Sequence, residues 1–403
     1  MKNAPIAPGP STRSVHLLAE TDPATRAVVP PMVANAAFAY DTVDDWRRVA
    51  VGEVPGDIYS RNSNPTVRLF EQKMAALEGA EAAVAFANGM GAIASTLFAL
   101  LSPGDRAVTV KDAYGGTYLT FTELLPRFHV TCDVCETDDT GAIEAAILRG
   151  CQLLYLETPT NPTLKVVDLA RLAAAAHRAG AIVVVDNTFA TPINQSPIAL
   201  GADLVIHSAT KFIGGHGDVM GGVVCGRREL TDRIYKWREI AGGALDAQSA
   251  FLLLRSLKTL GLRVARQNDN AMGVARFLET HAAVARVHYP GLASHPAHAV
   301  AARQMTGFGG VLSFELHGGL EAATRVLDGL TYAYLAANLG QVETVAGPPS
   351  LTSHVELTAE ERAAAGVPEG LVRYSVGIED LEDLLDDLRA ALDPLQVVGR
   401  HLL

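Results

Sequence analysis

Short, unbroken apolar runs recur from residue 82 onward, and most are separated by stretches with the period of a helix. No other feature constrains the fold as strongly. Strands are expected at 82–87, 106–110, 152–157, 181–186, 204–207 and 222–225, with helices at 65–78, 91–101 and 168–179. A strand that is apolar on both faces has to be covered on both, and strands joined through helices run parallel. The expected fold is therefore α/β with a mostly parallel central sheet. A Leu-rich helix at 247–260 is expected to bridge to a smaller C-terminal domain carrying a strand at 310–316. The final helix places Leu381, Leu384, Leu385, Leu388 and Leu392 on one face, its acidic residues forming the solvated opposite face. Residues 1–62 are poor in period and rich in Pro and Ala, and read as an arm that packs on a neighbouring subunit. The expected division is an arm (1–62), an α/β domain (63–257) and a C-terminal domain (258–403).

With 403 residues, 49% of them hydrophobic, the chain can bury a large core. A net charge of -11 from dispersed acidic residues argues against nucleic acid as a partner. The opening MKNAPIAPGPSTRS has three prolines and no apolar core of a secretory signal, and the longest apolar stretches fall short of a membrane span. No membrane association is expected, and the expected location is the cytoplasm. Four cysteines do not make a disulfide framework in so long a chain, and the single CxxC of Cys132 and Cys135 reads as thiols buried in or beside a strand. His295 and His298 form an HxxH pair without a third ligand and read as loop histidines, so no metal is expected.

In open α/β sheets ligands bind beyond the carboxyl ends of the strands, so polar residues at those ends are the site candidates. Lys211 stands out. It follows the run at 204–206, lies behind Ser208 and Thr210, and opens a loop containing Gly214, Gly215 and Gly217. A buried amine loses its proton more readily than an exposed one, and a neutral amine forms a Schiff base with an aldehyde. The hydroxyls beside it suit a phosphate, as do the backbone amides of Asn88-Gly89-Met90-Gly91, which open a helix. Tyr114 can lay a phenol ring over a planar group. Asn161, in Thr158-Pro159-Thr160-Asn161-Pro162, presents an amide, and Asp186, 25 residues before Lys211, presents a carboxylate to a protonated pyridine nitrogen. An aldehyde, a phosphate and a pyridine on one small molecule specify pyridoxal 5'-phosphate.

These segments resemble the pyridoxal-phosphate enzymes of cysteine and methionine metabolism, of the cystathionine γ-synthase, cystathionine γ-lyase, O-acylhomoserine sulfhydrylase and methionine γ-lyase type. The resemblance runs over nearly the whole chain, through Tyr59-Ser-Arg61-Asn-Ser-Asn-Pro-Thr66, the NGMG segment, Tyr114-Gly-Gly-Thr117, Glu157-Thr-Pro-Thr-Asn-Pro162, Val185-Asp-Asn-Thr-Phe189, His207-Ser-Ala-Thr-Lys211, Gly340 with Glu343 and Thr344, and Gly370-Leu-Val-Arg-Tyr-Ser-Val-Gly377. It implies the fold-type I transferase architecture, with a smaller α+β C-terminal domain. It also implies that Lys211 holds the cofactor, Asp186 pairs with its ring nitrogen, and Gly89, Met90, Ser208 and Thr210 bind its phosphate. Tyr59 and Arg61 would join them from the neighbouring subunit of a homo-oligomer, usually a tetramer. Tyr114 would stack on the ring and move protons, Asn161 would meet the ring hydroxyl, and Arg373 would clamp the substrate carboxylate.

What the resemblance implies for the reaction is loss of a group from Cγ of a homoserine-derived amino acid. It is followed either by addition of a nucleophile, as in a synthase or sulfhydrylase, or by hydrolysis to 2-oxobutyrate and ammonia, as in a γ-lyase. Gly116 stands where methionine γ-lyases usually carry a cysteine, and Ala337 where cystathionine-handling members often carry a glutamate. Asn338 replaces a serine, and the Asn-Leu-Gly version is similar to that of the O-succinylhomoserine sulfhydrylases. Pro348 replaces a common histidine in Pro348-Pro-Ser-Leu-Thr-Ser-His354. These departures are expected on the substrate side of the pocket, Asn338 among the substrate-binding residues, and γ-replacement is the favoured activity. A cofactor-binding protein without turnover is the remote alternative, set against the presence of lysine, aspartate, tyrosine and arginine together.

Overall fold

The computed structural model describes residues 8–16, 26–352, 355, 358, 360, 362 and 366–399; Ser353 and His354 of the loop quoted above lie outside them. Seven strands form the larger sheet: β1 (Ala82–Phe86), β2 (Arg106–Val110), β3 (Thr131–Cys135), β4 (Leu153–Glu157), β5 (Ile182–Asp186), β6 (Leu204–Ser208) and β7 (Gly222–Gly226). Their order is β1-β7-β6-β5-β4-β2-β3. Only β7 runs against its neighbours, pairing antiparallel with both β1 and β6. The other contacts are parallel, as the doubly covered apolar strands require. In β4, Leu153 and Tyr155 face a core with Leu97 and Phe121, while Leu154 and Leu156 face one with Ile147 and Leu172.

Helix starts follow side-chain chemistry. Asn64 caps the Pro65–Glu78 helix by accepting from the Thr66 amide, with proline in the first turn, and Gly79 ends it in the left-handed region (φ 72°). The helix expected from residue 91 begins two residues earlier, as Gly89–Leu100, because the Asn88 side chain accepts from the Gly91 amide at 2.7 Å. That cap sets Gly89 and Met90 in the first turn.

The second sheet has the order β10-β11-β12-β9-β8, from β8 (Val284–His288), β9 (Val311–Leu316), β10 (Tyr334–Leu335), β11 (Val345–Gly347) and β12 (Leu371–Ser375). The helices Leu260–Thr280, Gly319–Gly329 and Leu381–Gly399 contribute to the core it shares, in which Leu384, Leu388 and Leu392 have no exposure. Each such leucine contributes about 1.5–3 kcal/mol of burial.

Several expectations are corrected. The helix at 247–260 ends at Leu257, and a separate helix, Leu260–Thr280, follows. This second helix is the bridge: its Leu260 and Val264 lie in the core beside β7, and its Ala271, Val274 and Leu278 in the core of the second sheet. The acidic face of the last helix is not wholly solvated. Asp387 is buried and accepts from the Thr331 and Tyr332 amides (2.8 and 3.1 Å). Cys132 and Cys135 lie on a strand as expected, though on β3, which was not anticipated, and neither is fully buried: three residues apart, they project to opposite faces of an edge strand. Burial raises the Cys132 thiol to about 11. His298 begins the short His298–Gln304 helix rather than lying in a loop, with its Nδ1 against the Pro290 carbonyl (2.8 Å). His295 is buried and accepts from the Ala297 amide (3.2 Å), and burial lowers it to about 4. Among the described residues no group of side chains could hold a metal ion, and no helix is long and apolar enough to cross a membrane.

The described part of the arm contains two short helices, Pro10–His16 and Val43–Ala50, and an isolated bridge from Ala37 to Tyr59. Its end is pinned by Arg238, which is buried and donates to the carbonyls of Asn62 (2.9 Å) and Ala85 (2.7 Å) and to Glu71 (2.8 Å).

Candidate active site

A cavity of about 330 Å³ opens where strands β1, β4, β5 and β6 end. Four of its walls come from the loops that follow those strands. After β1, the first turn of the Gly89–Leu100 helix brings Gly89 and Met90 to the cavity beside Asn88. Gly89 is packed against Ser208: a side-chain carbon at 89 would fall 2.8 Å from Ser208 Cβ and 2.9 Å from its Oγ. Glycine is thus required for the helix to approach β6, and the approach places free backbone amides beside a hydroxyl. That is an anion cradle.

After β6 the chain turns sharply. Thr210 Oγ1 accepts from the Gly221 amide (3.0 Å) and donates to the Gly221 carbonyl (3.2 Å), closing the neck of the glycine loop at the start of β7. Lys211 follows immediately and points back into the cavity, where Nζ donates to Asn338 Oδ1 at 2.8 Å. Burial, and secondly the nearby Arg373 cation, lower the amine to about 8. Lys211 therefore gives up its proton far more readily than an ordinary lysine, and the neutral amine is the state that an aldehyde needs.

β4 and β5 run in register, so their terminal carboxylates, Glu157 and Asp186, are side by side. Asp186 Oδ1 accepts from the Thr188 amide (3.0 Å) and hydroxyl (2.6 Å), and its Oδ2 from the Tyr155 hydroxyl (3.3 Å). Glu157 accepts from the Tyr114 amide (2.8 Å) and the Asn161 amide (3.0 Å). Burial first, then the neighbouring Asp186, push Glu157 well above the ordinary carboxylate range; burial raises Asp186 as well. A buried carboxylate raised in this way is one that a cationic partner would stabilise.

The opposite wall comes from the segment 337–352 and β12. Arg373 is buried at the centre of β12 and donates to Asn161 Oδ1 (3.2 Å) and to the Asn338 carbonyl (3.1 Å). Burial lowers it to about 10, which leaves it charged at neutral pH with donors to spare for an anion. Ala337, Leu339 and Thr352 complete this wall. Gly116 lies beside the cavity: a side-chain carbon there would come within 3.0 Å of both Met90 Sδ and Tyr114 Cε1. Pro348 is not among the lining residues. Its carbonyl accepts from the Thr352 hydroxyl (3.0 Å), so it acts on the wall by placing Thr352.

Of the residues expected at the site, Gly89, Met90, Tyr114, Asn161, Asp186, Ser208, Thr210, Lys211 and Arg373 line this one cavity, and Asn338 touches both Lys211 and Arg373. Tyr59 and Arg61 do not line it. They stand on the arm, where Arg61 donates to the Glu239 carbonyl and lies over the Tyr59 ring. Sequence reasoning passed over Thr188 and gave Glu157 no role. Both were findable: Glu157 ends an apolar strand just as Asp186 does, and a threonine two residues after an aspartate is the signature of a side-chain turn.

The cavity has an anion cradle at one end, an amine of lowered proton affinity beside it, and a buried carboxylate at the far strand end, which together fit a phosphate, an aldehyde and a protonated ring nitrogen. Comparison with known proteins agrees. The family model described as "Cys/Met metabolism PLP-dependent enzyme" matches residues 11–393. An L-methionine gamma-lyase of Pseudomonas putida is 43% identical over 387 residues, 96% of this chain and 97% of that protein. An O-succinylhomoserine sulfhydrylase of Pseudomonas aeruginosa is also 43% identical, over 364 residues and 90% of each chain. A crystal structure of cystathionine gamma synthase from Xanthomonas oryzae pv. oryzae, in complex with aminoacrylate and cysteine, matches with a TM-score of 0.92 at 41% identity, covering 97% of this chain and 100% of that one.

Proposed function

Since the chain belongs to the pyridoxal-phosphate-dependent enzymes of cysteine and methionine metabolism, we infer that it catalyses γ-replacement on an O-acylhomoserine, with γ-elimination as its second reaction. That it is an enzyme and uses pyridoxal 5'-phosphate follows from the family, which removes the reading of a cofactor-binding protein without turnover. Relatives of equal identity carry lyase and sulfhydrylase names, so identity does not choose between the outcomes. The choice rests on Asn338, in Asn338-Leu339-Gly340, whose side chain meets Lys211 and whose carbonyl holds Arg373. A sulfhydrylase-like Asn-Leu-Gly at the junction of amine and carboxylate clamp favours replacement, as does glycine at 116.

In this reading Lys211 holds the cofactor through Nζ, Asp186 meets the ring nitrogen, and Asn161 meets the ring hydroxyl. Gly89, Met90, Ser208 and Thr210 bind the phosphate. The bound cofactor supplies an electron sink that acidifies the substrate's Cα and, in turn, Cβ. Arg373 binds the substrate carboxylate by its planar fork and so aims Cα at Lys211. Lys211 Nζ would take and return the Cα proton of the bound substrate, a role its lowered proton affinity suits. The phenol of Tyr114, held by the bond from its backbone amide to Glu157, gives its proton to the group leaving Cγ. Tyr59 and Arg61 reach the phosphate of a second copy, so the working unit is at least a dimer, and a tetramer by analogy with the family. A cytoplasmic location accompanies this reading.

The test is product analysis. Purified enzyme is incubated with O-succinyl- or O-acetylhomoserine, with and without sulfide or cysteine. A thioether or thiol product with the nucleophile present is the expected result. Release of 2-oxobutyrate from methionine or cystathionine, with no replacement product under any condition, would make the enzyme a γ-lyase.

A further inference from the structure

A directed chain of hydrogen bonds runs away from Lys211 on the substrate side. Lys211 Nζ donates to Asn338 Oδ1 (2.8 Å), Asn338 Nδ2 donates to Gln341 Oε1 (2.9 Å), and Gln341 Nε2 donates to Glu343 Oε2 (3.1 Å). An ammonium can only donate and a carboxylate can only accept. With those two ends, both amides between them have one permitted orientation, oxygen toward the lysine and nitrogen toward the carboxylate. Asn338 alone has no such constraint: rotated by half a turn about its last bond it would offer a donor to Lys211, which suits only the neutral amine. Gln341 removes that alternative, because its oxygen already faces Asn338 Nδ2. Its own place is set by the chain around it. The Gln341 carbonyl accepts from Gln267 Nε2 (3.0 Å), and a side-chain carbon at Gly217 would fall 2.9 Å from Gln341 Oε1. Gly217 has φ 70°, so the close approach and the left-handed backbone both call for glycine.

We propose that Gln341 is a positioning residue for Lys211: with Glu343 behind it, it turns the Asn338 side-chain oxygen onto Nζ and favours the protonated amine. The proposal rests on the reading of Lys211 as the cofactor lysine. Among the charged and titratable groups facing Lys211, Arg373 from β12 acts against the ammonium, while Asp186, Glu157 and Tyr114 line the same cavity. The relay therefore opposes the combined effect of burial and Arg373, and sets how far the amine's proton affinity falls.

The test uses the full-length chain, stripped of cofactor by dialysis against a carbonyl-trapping reagent and then mixed with pyridoxal phosphate at a series of pH values. Attack of neutral Nζ on the aldehyde carbon, with loss of one water, produces a visible absorbance, so the pH of half-maximal rate reads the amine's proton affinity. Gln341→Met frees Asn338, and the half-maximal pH is expected to fall by about 0.5. Gln341→Glu keeps an acceptor opposite Asn338 Nδ2 and adds negative charge, so the midpoint is expected to rise by a similar amount. Glu343→Gln, nearly isosteric and the variant least able to disturb folding, lowers it less. Opposite shifts in the Met and Glu variants are the result that a purely structural role for Gln341 does not produce. Midpoints that are unchanged, or that move in the same direction, overturn the relay. A Lys211→Ala protein that still forms the wild-type absorbance overturns the cofactor-lysine reading instead.

Discussion

The two walls of the cavity are built differently. On the cofactor side, the groups stand at or just beyond the ends of strands whose backbones are paired across the sheet, and Asp186, Glu157 and Thr210 have fixed donors: Thr188 and Tyr155 for Asp186, the Tyr114 and Asn161 backbone amides for Glu157, and the Gly221 amide for Thr210. The facing wall comes from β12 and the segment 337–352, whose one strand, β11, is three residues long and which follows directly on the two-residue β10, where Tyr334 and Leu335 are exposed. In the proposed reading, the chemistry common to the family sits on the rigid wall, and selection of leaving group and nucleophile falls to the other, where substitutions disturb little of the fold.

If that division holds, substitutions on the rigid wall abolish function and those opposite redirect it. The largest effect is expected for Lys211→Ala, which removes the visible absorbance of bound cofactor and lowers turnover by more than about a thousandfold, read by spectrum and product assay. Asp186→Asn keeps the shape and removes the charge; kcat is expected to fall by about a hundredfold or more, with a red or blue displacement of the cofactor band as an independent sign. Arg373→Lys loses the bidentate fork, and kcat/KM for the amino acid should fall by about 10–100-fold, or about 1.4–2.7 kcal/mol, with the cofactor spectrum retained. A comparable loss of cofactor affinity in that variant would break the division.

A smaller effect concerns pH. Lys211 reacts as the free base and its proton affinity is lowered to about 8, so cofactor uptake should accelerate from pH 6 to about pH 9 and level off above. A level beginning only near the ordinary lysine value would show that burial does not act on it. Smallest is Gly116→Ala, whose new carbon would press on Tyr114 Cε1 and Met90 Sδ at 3.0 Å. A severalfold change in the ratio of replacement to elimination is expected, with a smaller loss of cofactor affinity because Tyr114 and Met90 also face the cofactor.

The rigid wall was also the legible one. Continuous apolar runs announced β1, β2, β4, β5, β6 and β7, and Gly89, Tyr114, Asn161, Asp186 and Lys211 were site candidates by their place at or just beyond the ends of five of them. What escaped was register. That Glu157 lies beside Asp186 depends on how β4 and β5 align, which no local pattern in either strand encodes. β3 escaped because Thr131–Cys135 is an edge strand of mixed polarity with a solvated first residue. The second sheet was harder: only the 310–316 strand was anticipated, and Val284–His288, with two exposed residues at its centre, has little apolar signal. The break at Lys258–Thr259 was hidden because apolar residues continue through it on both sides. The departures at 116, 337 and 338 were visible, but the hydrogen bonds by which Asn338 joins Lys211 to Gln341 belong to tertiary structure.

The Leu260–Thr280 helix carries a mechanical consequence. Its 21 residues span about 30 Å, and it is anchored by Leu260 and Val264 at one end and by Ala271 to Leu278 toward the other. Arg263 adds a polar bolt, donating to the Phe212 carbonyl (2.6 Å) just behind Lys211. Such a strut transmits displacement without absorbing it: any swing of the second sheet toward the cavity pulls on the peptide next to the lysine.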